Sequence, residues 1–441
     1  MTLAAACSRG AYSTLLRLAT PLYLARLWWR GAREPLYRQH LAERLGVTPA
    51  QSGSGRLWIH AVSLGETLAA AAVIDALRAA RPGLRMLLTH GTATGREAGA
   101  RLLREGDAQA WLPYDTPGAV RRFLRAHRPP VGVLMDTETW PMLLHEAHAA
   151  QVPMALANAR LSQRSLDKGL ALAALLQPAM AQLALVLAQT EADAARLREA
   201  GAPNVQVTGN VKFDLTPDAA LLAQGRLWRG AIARRVVLAA VTREGEEAPL
   251  LAAWLQQPTP RPLLVLVPRH PQRFDEVADL ITATGLSQRR RSSLVQTPTA
   301  QDAVADVWLG DTLREMALYY GLADVALLGG SFAPLGGQNL IEAAACGCPL
   351  VMGPHTYNFA EVAELAIQAG AAQRVVDIVA GVHQAVLLSA AMDRDQWCQR
   401  ALVFAAAHRG AAARTATAVL ALMPGALAVT GPQGRVLVHT D

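Results

Sequence analysis

Short apolar runs alternate with longer amphipathic stretches along residues 57–208, which is the pattern of buried strands separated by helices. The stretches between the runs predict helices at 66–80, 94–103, 117–126, 142–150 and 191–200. Strands that are apolar throughout and separated by helices indicate a parallel sheet covered on both faces. The apolar runs predict strands at 57–62, 86–89, 131–135, 154–157, 183–188 and 205–208.

The pattern weakens at residues 217–234 and then resumes. We therefore predict an α/β protein with two doubly wound Rossmann-like domains, residues 47–216 and 217–441, and a hinge near residue 217. The alanine-rich tail, residues 393–422, is predicted to be helical and to pack back across the domains. The strands of the second half fall at 236–241, 263–267, 307–310, 325–328 and 350–352, and its helices at 246–256, 274–284, 314–321, 340–346 and 359–369.

Residues 1–46, which precede a Gly/Ser-rich break at 51–55, are both basic and apolar. They carry seven arginines against two acids, whereas the whole chain has a net charge of only +7. Arms that bind nucleic acid are seldom so rich in leucine and tryptophan, so we expect no nucleic-acid partner. Arg17, Pro21 and Arg26 interrupt the apolar run, and no small-residue cleavage site follows it.

This N-terminal segment is predicted to be an amphipathic helix lying in the membrane interface, with Trp28 and Trp29 at headgroup depth and arginines on anionic lipid. A tilted spanning helix and an ordinary helix with an apolar face remain the alternatives. The four cysteines, Cys7, Cys346, Cys348 and Cys398, lack metal-ligand spacing and favour a reducing compartment. We expect no metal and no cofactor.

Glu66 is the first residue with a predicted chemical role. A strand runs into Ser63-Leu-Gly65-Glu66, which places the carboxylate in the first turn of a helix at the carboxyl end of a strand. Gly65 is expected to permit a tight turn there. The positive end of the helix dipole favours an ionised carboxylate, which suits a general base. The alternative is a structural glutamate beside a Ser63 cap.

Two further groups follow in the same half of the chain. Asp136 and Glu138 succeed another strand and point the same way along an extended chain, so they form a second pair of acids. Lys212 is one of only two lysines among forty-two basic residues, which suggests that a compact ammonium is required at this position. A polar loop before Pro141 and a chance lysine are the alternatives.

The second half contains residues suited to a nucleotide sugar. Arg269 follows Pro268 at the end of a strand, where a phosphate would bind. Paired glycines at 329–330 and 336–337 surround a loop that enters the helix predicted to begin at Leu340, and Glu342 lies in its first turn. Glycines allow close approach of a ligand, and a helix start offers free N–H groups to phosphate.

With these residues assembled, the chain resembles the 3-deoxy-D-manno-octulosonic acid (Kdo) transferases from about residue 27 to residue 370. The motifs are specific in combination. They are Val62-Ser-Leu-Gly-Glu66, Glu138-Thr-Trp-Pro141, Asn158-Ala-Arg-Leu-Ser162, Gly209-Asn-Val-Lys212-Phe-Asp214, Gly245-Glu-Glu247, Val267-Pro-Arg269-His-Pro271, Leu309-Gly-Asp311-Thr312, Gly329-Gly-Ser331 and Met352-Gly-Pro-His-Thr-Tyr-Asn-Phe359.

The resemblance implies a GT-B fold with a membrane-attached N-terminus at the cytoplasmic face of the inner membrane. It implies inverting, metal-independent transfer of Kdo from CMP-Kdo to the lipid A precursor (lipid IVA) in lipopolysaccharide biosynthesis. By position, Glu66 matches the proton acceptor, while Glu138 and Lys212 match residues that stabilise the transition state. The CMP-binding segments correspond to Pro268, Arg269, Leu313, Arg314, Glu315, Asn339, Leu340, Ile341 and Glu342.

Several positions depart from the family pattern. Arg243 stands where Ser-Thr-His usually ends, Arg314 stands between a leucine and a glutamate where Met-Gly-Glu is usual, and Gln338 replaces a histidine. Asp136 replaces the first glutamate of Met-Glu-Thr-Glu. Two alternatives therefore stay open: a GT-B transferase or epimerase for another nucleotide sugar, and an inactive membrane-surface protein that binds lipid or nucleotide.

Overall fold

The computed structural model describes residues 3–48, 55–294, 297–299 and 301–424. The described chain forms two compact units, one from residues up to Asp214 together with those from Arg409, and one from Leu215–His408. Most of the predicted Gly/Ser-rich break at 51–55 lies outside the described residues.

The first unit is a seven-stranded sheet with helices on its faces. Every strand pair is parallel, in the order β3-β2-β1-β4-β5-β6-β7. In chain order its elements before residue 215 are α1 (Leu3–Arg30), β1 (Leu57–His60), α2 (Leu64–Ala80), β2 (Met86–His90), α3 (Ala93–Ala100), β3 (Ala108–Trp111), α4 (Pro117–His127), β4 (Gly132–Met135), α5 (Pro141–Ala149), β5 (Met154–Ala159), α6 (Gln163–Ala171), α7 (Ala173–Met180), β6 (Leu185–Ala188), α8 (Glu191–Glu199) and β7 (Val205–Val207).

The second unit repeats this design with its own seven-stranded parallel sheet, in the order β10-β11-β9-β8-β12-β13-β14. Its elements are α9 (Ala219–Ala231), β8 (Val236–Thr242), α10 (Glu247–Leu255), β9 (Leu263–Pro268), α11 (Phe274–Ala283), β10 (Gln288–Arg290), β11 (Val307–Leu309), α12 (Met316–Leu322), β12 (Val325–Leu328), α13 (Leu340–Ala345), β13 (Leu350–Met352), α14 (Ala360–Gln368), β14 (Ala372–Arg374), α15 (Ile378–Ala390) and α16 (Arg394–Ala407).

The predicted α/β class with two parallel sheets is confirmed. The central strands of both sheets are buried, with only Val241 of β8 half-buried, as their uninterrupted apolar runs require. Each sheet carries its core on both faces; in the first, one face packs against α2 and the other against α4 and α5.

The predicted helical tail is two helices that belong to different units. α16 lies in the second unit, whereas α17 (Ala411–Leu420) lies in the first, against α2. Ala412, Ala416 and Val419 join the same apolar core as Val73 and Leu77. The predicted domain boundary assigns residues 217–441 to one domain, whereas the structure places α17 in the first unit.

The N-terminal segment folds as a helix, α1, that packs against α5 and α7. Turns that follow it close the edge of the sheet at β3, where Glu43 accepts hydrogen bonds from the backbone N–H of Trp111 and from Arg96, both at 2.8 Å. Among residues 3–48, 55–294, 297–299 and 301–424, no helix has both the length and the apolarity that a bilayer crossing demands.

Candidate active site

Glu66 lies in the first turn of α2 and is held by hydrogen bonds on both carboxylate oxygens. Ser63, the N-cap, donates its hydroxyl to Oε1 at 2.8 Å, and the backbone N–H of Val62 donates to Oε2 at 2.8 Å. These contacts resemble a capping box and fix the carboxylate where β1 turns into α2. An ionised carboxylate has about four lone-pair sites, so each oxygen can still accept a proton.

Gly65 does not form the tight turn predicted for it. Its backbone is helical, and an added Cβ would approach only the hydroxyl oxygen of Ser63, at 4.0 Å. Neither turn geometry nor packing among the described residues explains this glycine. It leaves open space beside the Glu66 carboxylate, which is what close approach of a substrate would require.

Asp136 and Glu138 follow β4, the strand next to β1 in the sheet, and the structure brings them within electrostatic reach of Glu66. Burial, and then the charges of Glu66 and Asp136, raise the pKa of Glu138 to about 7. Burial also raises the pKa of Glu66, with Asp136 adding to the effect. The predicted helix dipole is therefore outweighed by desolvation, and the acids form one coupled cluster.

Asn158 links this acidic cluster to the turn that carries Lys212. Its side-chain N–H donates to Asp136 at 2.6 Å, and its side-chain oxygen accepts from the backbone N–H of Val211 at 3.1 Å. Asn158 is fully buried and has a φ of 54°, a left-handed conformation that asparagine tolerates better than most residues. From the sequence, Asn158 is only part of a motif. A single amide in an otherwise apolar strand was nevertheless a signal of a buried polar contact.

Lys212 lies in a short 3₁₀ turn, Val211–Asp214, that α17 supports from the other side. The Asp214 carboxylate accepts hydrogen bonds from the backbone N–H groups of Gly410 and Ala412 at the start of α17. Arg414 of α17 donates to the backbone oxygen of Thr208 at 2.8 Å. The aspartate of the Gly-Asn-Val-Lys-Phe-Asp motif therefore has a structural explanation.

In the second unit, Arg269 follows β9 and Glu342 lies in the first turn of α13, and the two charges interact. Arg269 is exposed directly after buried Pro268. Burial raises the pKa of the Glu342 carboxyl, and the positive charge of Arg269 opposes that rise. Asn339 caps α13 by accepting a hydrogen bond from the N–H of Ile341 at 3.1 Å.

Some residues predicted to bind the nucleotide have side chains that are buried or already paired, or an unusual backbone conformation. The side chains of Leu340 and Ile341 are fully buried, so only their backbone atoms are available to a ligand. Glu315 is paired with Arg291 at 2.9 Å. Arg314 is exposed and has a φ of 65°, in the left-handed region that favours glycine. This backbone conformation gives a physical reason for the glycine that the family pattern has there.

Glu246 organises the glycine-rich loop after β12, a role that the sequence analysis missed. It is 2% exposed, and its oxygens accept hydrogen bonds from the backbone N–H groups of Gly330 at 2.7 Å, Phe332 at 3.1 Å and Ala333 at 3.2 Å. Gly330 has a φ of 69°. An acid beside Gly245 at a strand end was the available signal, because a buried carboxylate needs several donors.

Within the described ranges, no group of three or more histidine, cysteine, aspartate or glutamate side chains is placed to hold a metal ion. Each unit therefore carries its own set of charged candidate residues: the acids and Lys212 in the first unit, and Arg269 with Glu342 in the second.

Comparisons with known proteins place the chain in a class and then in a family. A solved structure, UDP-GlcNAc 2-epimerase from Neisseria meningitidis bound to UDP-GlcNAc, matches with a TM-score of 0.55 and 15% identity over 83% of this chain and 99% of that one. This likeness shows the fold, which is of the GT-B type. The family model of the 3-deoxy-D-manno-octulosonic-acid transferases (kdotransferases) matches residues 39–215.

Whole-length relatives agree with that model. The 3-deoxy-D-manno-octulosonic acid transferase of Bordetella pertussis is 47% identical over 93% of this chain and 98% of its own length. The protein of the same name from Haemophilus influenzae is 35% identical over 82% of this chain and 85% of its own length. The chain belongs to the 3-deoxy-D-manno-octulosonic acid transferases and is a glycosyltransferase, which confirms the resemblance found in the sequence.

Proposed function

We propose that the protein transfers Kdo from CMP-Kdo to the lipid A precursor in lipopolysaccharide biosynthesis, with Glu66 as the general base. The observation that carries the assignment of residues is the coupled cluster of Glu66, Asp136 and Glu138 at the ends of adjacent parallel strands. Active sites of such sheets lie at the carboxyl ends of their strands.

In this proposal, Glu66 removes a proton from a glucosamine hydroxyl of the acceptor, and the oxygen of that hydroxyl attacks the anomeric carbon of Kdo. The bond from that carbon to the CMP phosphate breaks, and the configuration inverts. Lys212 offsets negative charge on the CMP phosphate or on the Kdo carboxylate, where a fixed cation stabilises the transition state. Glu138, with a pKa of about 7, contributes to the electrostatics of the same step.

The second unit binds the nucleotide in this proposal. Arg269 pairs with a phosphate oxygen, and Glu342 accepts hydrogen bonds from ribose hydroxyls. The loop after β12, ordered by Glu246, approaches the nucleotide through its backbone. Pro268, Leu313 to Glu315 and Asn339 to Ile341 complete the nucleotide-binding segments. Leu340 and Ile341, whose side chains are fully buried, contribute backbone atoms alone.

Mass spectrometry of the lipid product tests this function, with CMP-Kdo generated in situ and lipid A precursor as acceptor. We expect a product heavier by Kdo, and Glu66→Gln should lower kcat by about 10²–10⁴-fold with CMP affinity unchanged. Glu97→Gln, an exposed acid on α3, is the matched control. Full activity in Glu66→Gln would remove Glu66 from the mechanism, and product from a UDP-sugar alone would favour the other transferase.

The exposed face of α1 supports attachment to a membrane surface. Leu15, Leu18, Leu22 and Trp29 follow a three-, four- and seven-residue spacing that places them on one side of the helix, and they are 64–84% exposed. The opposite side packs on the unit through Ser13 and Leu27. We propose that this apolar face lies in the inner-membrane interface at the cytoplasmic side, with the arginines of α1 on anionic lipid.

Vesicle sedimentation tests the attachment. Replacing Leu18, Leu22 and Trp29 together by serine should release the protein from vesicles that contain anionic lipid, because the buried apolar area is lost. The control replaces Leu227, Val376 and Leu387, which are also exposed, and should stay bound. Equal binding of both triple variants would contradict the role of α1.

A further inference from the structure

A cavity of about 340 Å³ lies in the first unit between α6, α7 and α8. Its wall is largely aliphatic: six leucines, among them Leu166, Leu170 and Leu176, line it together with Met180. Nothing in the transfer mechanism above uses this space. Aliphatic walls of this kind suit a hydrocarbon chain and disfavour a sugar or a nucleotide.

One wall of the cavity belongs to the candidate active site. Thr137 and Thr139, the residues on either side of Glu138, both line it. The hydroxyl of Thr139 contacts the sulfur of Met180 at 3.5 Å, which joins the loop after β4 to α7. A molecule held in the cavity therefore lies beside the acidic cluster.

The other side of the cavity leads towards the helix proposed to lie on the membrane. Leu176 and Met180 belong to α7, which packs against α1. Leu170 and Leu172, at the junction of α6 and α7, are 37% and 58% exposed. The cavity thus lies between residues that carry the chemistry and a helix with an unpaired apolar face.

One cation lines the cavity. Arg160, which is exposed directly after β5, is among its lining residues. A cation at the edge of an aliphatic cavity matches an amphipathic lipid with an anionic group near its apolar chain.

We propose that this cavity binds one acyl chain of the lipid acceptor and so positions its sugar hydroxyl beside Glu66. This inference rests on the proposed function, because it takes the acceptor to be an acylated glucosamine lipid. It adds a binding site for the acyl chain, formed by α6, α7 and α8, to the residues already named. A chain of bulk phospholipid is the competing occupant.

Filling the cavity tests the inference by kinetics. An added Cβ at Gly169, a helical lining residue, would meet only Leu176 at 3.9 Å, so Gly169→Phe directs a ring into the space without a backbone clash. We expect KM for the acylated acceptor to rise about tenfold or more, since a hydrophobic pocket discriminates on this scale. KM for CMP-Kdo, and turnover of the same acceptor without its acyl chains, should stay unchanged.

A control separates cavity filling from other effects. Ala171→Phe adds the same ring at an exposed position on α6, away from the cavity lining. This variant should keep the KM values of the unaltered enzyme. Unchanged KM in Gly169→Phe, or an equal loss with acylated and acyl-free acceptors, would overturn the inference.

Photo-crosslinking reads occupancy without turnover, so it separates this inference from the proposed function. A lipid acceptor that carries a diazirine in its acyl chain should label peptides of residues 160–180, and Gly169→Phe should abolish that labelling. Labelling confined to α1 would overturn the inference. Equal labelling by a diazirine phospholipid that the acceptor does not displace would assign the cavity to membrane lipid instead. Absence of product despite cavity labelling would refute only the transfer function.

Discussion

At the scale of single residues, the acids of the first unit change one another's protonation. Glu66, Asp136 and Glu138 follow neighbouring strands. Desolvation raises the pKa of Glu66 and of Glu138, and the negative charge of Asp136 adds to both shifts. A base that must be ionised at neutral pH therefore works beside a charge that opposes its ionisation. The pH dependence of activity should report this neighbour.

Replacing Asp136 by asparagine tests this coupling. The change removes a negative charge but can keep the hydrogen bond from Asn158, so the pKa values of Glu66 and Glu138 should both fall. Because the base acts when ionised, the acid limb of the kcat/KM profile should move to lower pH. Glu105→Gln, an exposed acid before β3, should leave the profile in place. An acid limb that stays or moves to higher pH in Asp136→Asn would contradict the coupling.

Glu246 is the residue on which the glycine-rich loop of the second unit depends. In Glu246→Gln, an amide N–H₂ replaces one of the two carboxylate oxygens. It then faces the backbone N–H of either Gly330 or Phe332, so one of these donors loses its acceptor. We expect the free energy of unfolding to fall by about 1–3 kcal/mol and CMP binding to weaken. Denaturant unfolding and calorimetric titration with CMP measure the two effects.

The neighbouring acid provides the control for that experiment. The side chain of Glu244 is 57% exposed, and its ion pairs with Arg243 and Arg273 span 3.3 Å and 3.9 Å, so each is worth little. Glu244→Gln should therefore leave both stability and CMP affinity nearly unchanged. Equal effects of the two substitutions would show that the buried carboxylate has no special role in the loop.

At the scale of elements, the helices and strands that the sequence failed to predict share physical causes. The three missed strands, β3, β10 and β14, are all at sheet edges. An edge strand is covered on fewer sides, so it lacks the uninterrupted apolar run of a central strand. Several helices were missed as well, namely α6, α7, α9 and α15.

The helix α9 shows why such a miss occurs. Gly225 weakens its helical pattern because glycine disfavours a helix interior. In the structure an added Cβ at Gly225 would lie 2.1 Å from the backbone oxygen of Leu318, and one at Gly321 would lie 2.6 Å from that of Leu222. The two glycines let α9 and α12 pack with their backbones close together. Only the partner helix reveals that advantage.

The attachment of α1 to its unit gives a prediction at the same scale. The Tyr12 hydroxyl donates to Asp115 at 3.0 Å, and Asp115 also accepts from the backbone N–H groups of Met142 and Leu143 at the start of α5. Tyr12→Phe removes this hydrogen bond between α1 and the rest of the first unit, at a cost of about 1 kcal/mol. Hydrogen exchange should become faster in α1 while the start of α5 stays protected.

A second tyrosine of α1 provides the control for Tyr12→Phe. Tyr23→Phe also removes a hydroxyl from α1, but that ring contacts Tyr114 at a centroid distance of 5.9 Å, and a phenyl ring keeps this contact. We expect exchange in α1 to be nearly unchanged there. Equal acceleration in both variants would show that the hydrogen bond to Asp115 is not what fixes the helix.

At the scale of the whole molecule, the chain leaves the first unit after Asp214 and returns to it at Arg409. The returning helix α17 covers α2, whose first turn carries Glu66. Backbone N–H groups at the start of α17 also donate hydrogen bonds to Asp214, in the same short turn as Lys212. Two residues of the proposed chemistry therefore depend on α17. From the sequence, only a packing role is predicted for this tail.

Truncation tests that dependence. A chain that ends at His408 should lose activity by roughly tenfold or more, because misplaced catalytic groups are costly, and its first unit should unfold at a lower temperature. A chain that ends at Pro424 keeps α17 and should match the full protein. Circular dichroism melts and product formation check both. Full activity after truncation at His408 would contradict the supporting role of α17.

Local sequence patterns are enough to predict the two parallel sheets, the N-terminal helix and the positions of the acids after strands. A buried strand must be apolar throughout, and a helix repeats at 3.6 residues. The folded structure adds four features: the desolvated cluster of acids, its link to Lys212 through Asn158, the return of α17 to the first unit and the cavity beside Glu138. Those features depend on burial and contact between residues far apart in the chain, which no local pattern records.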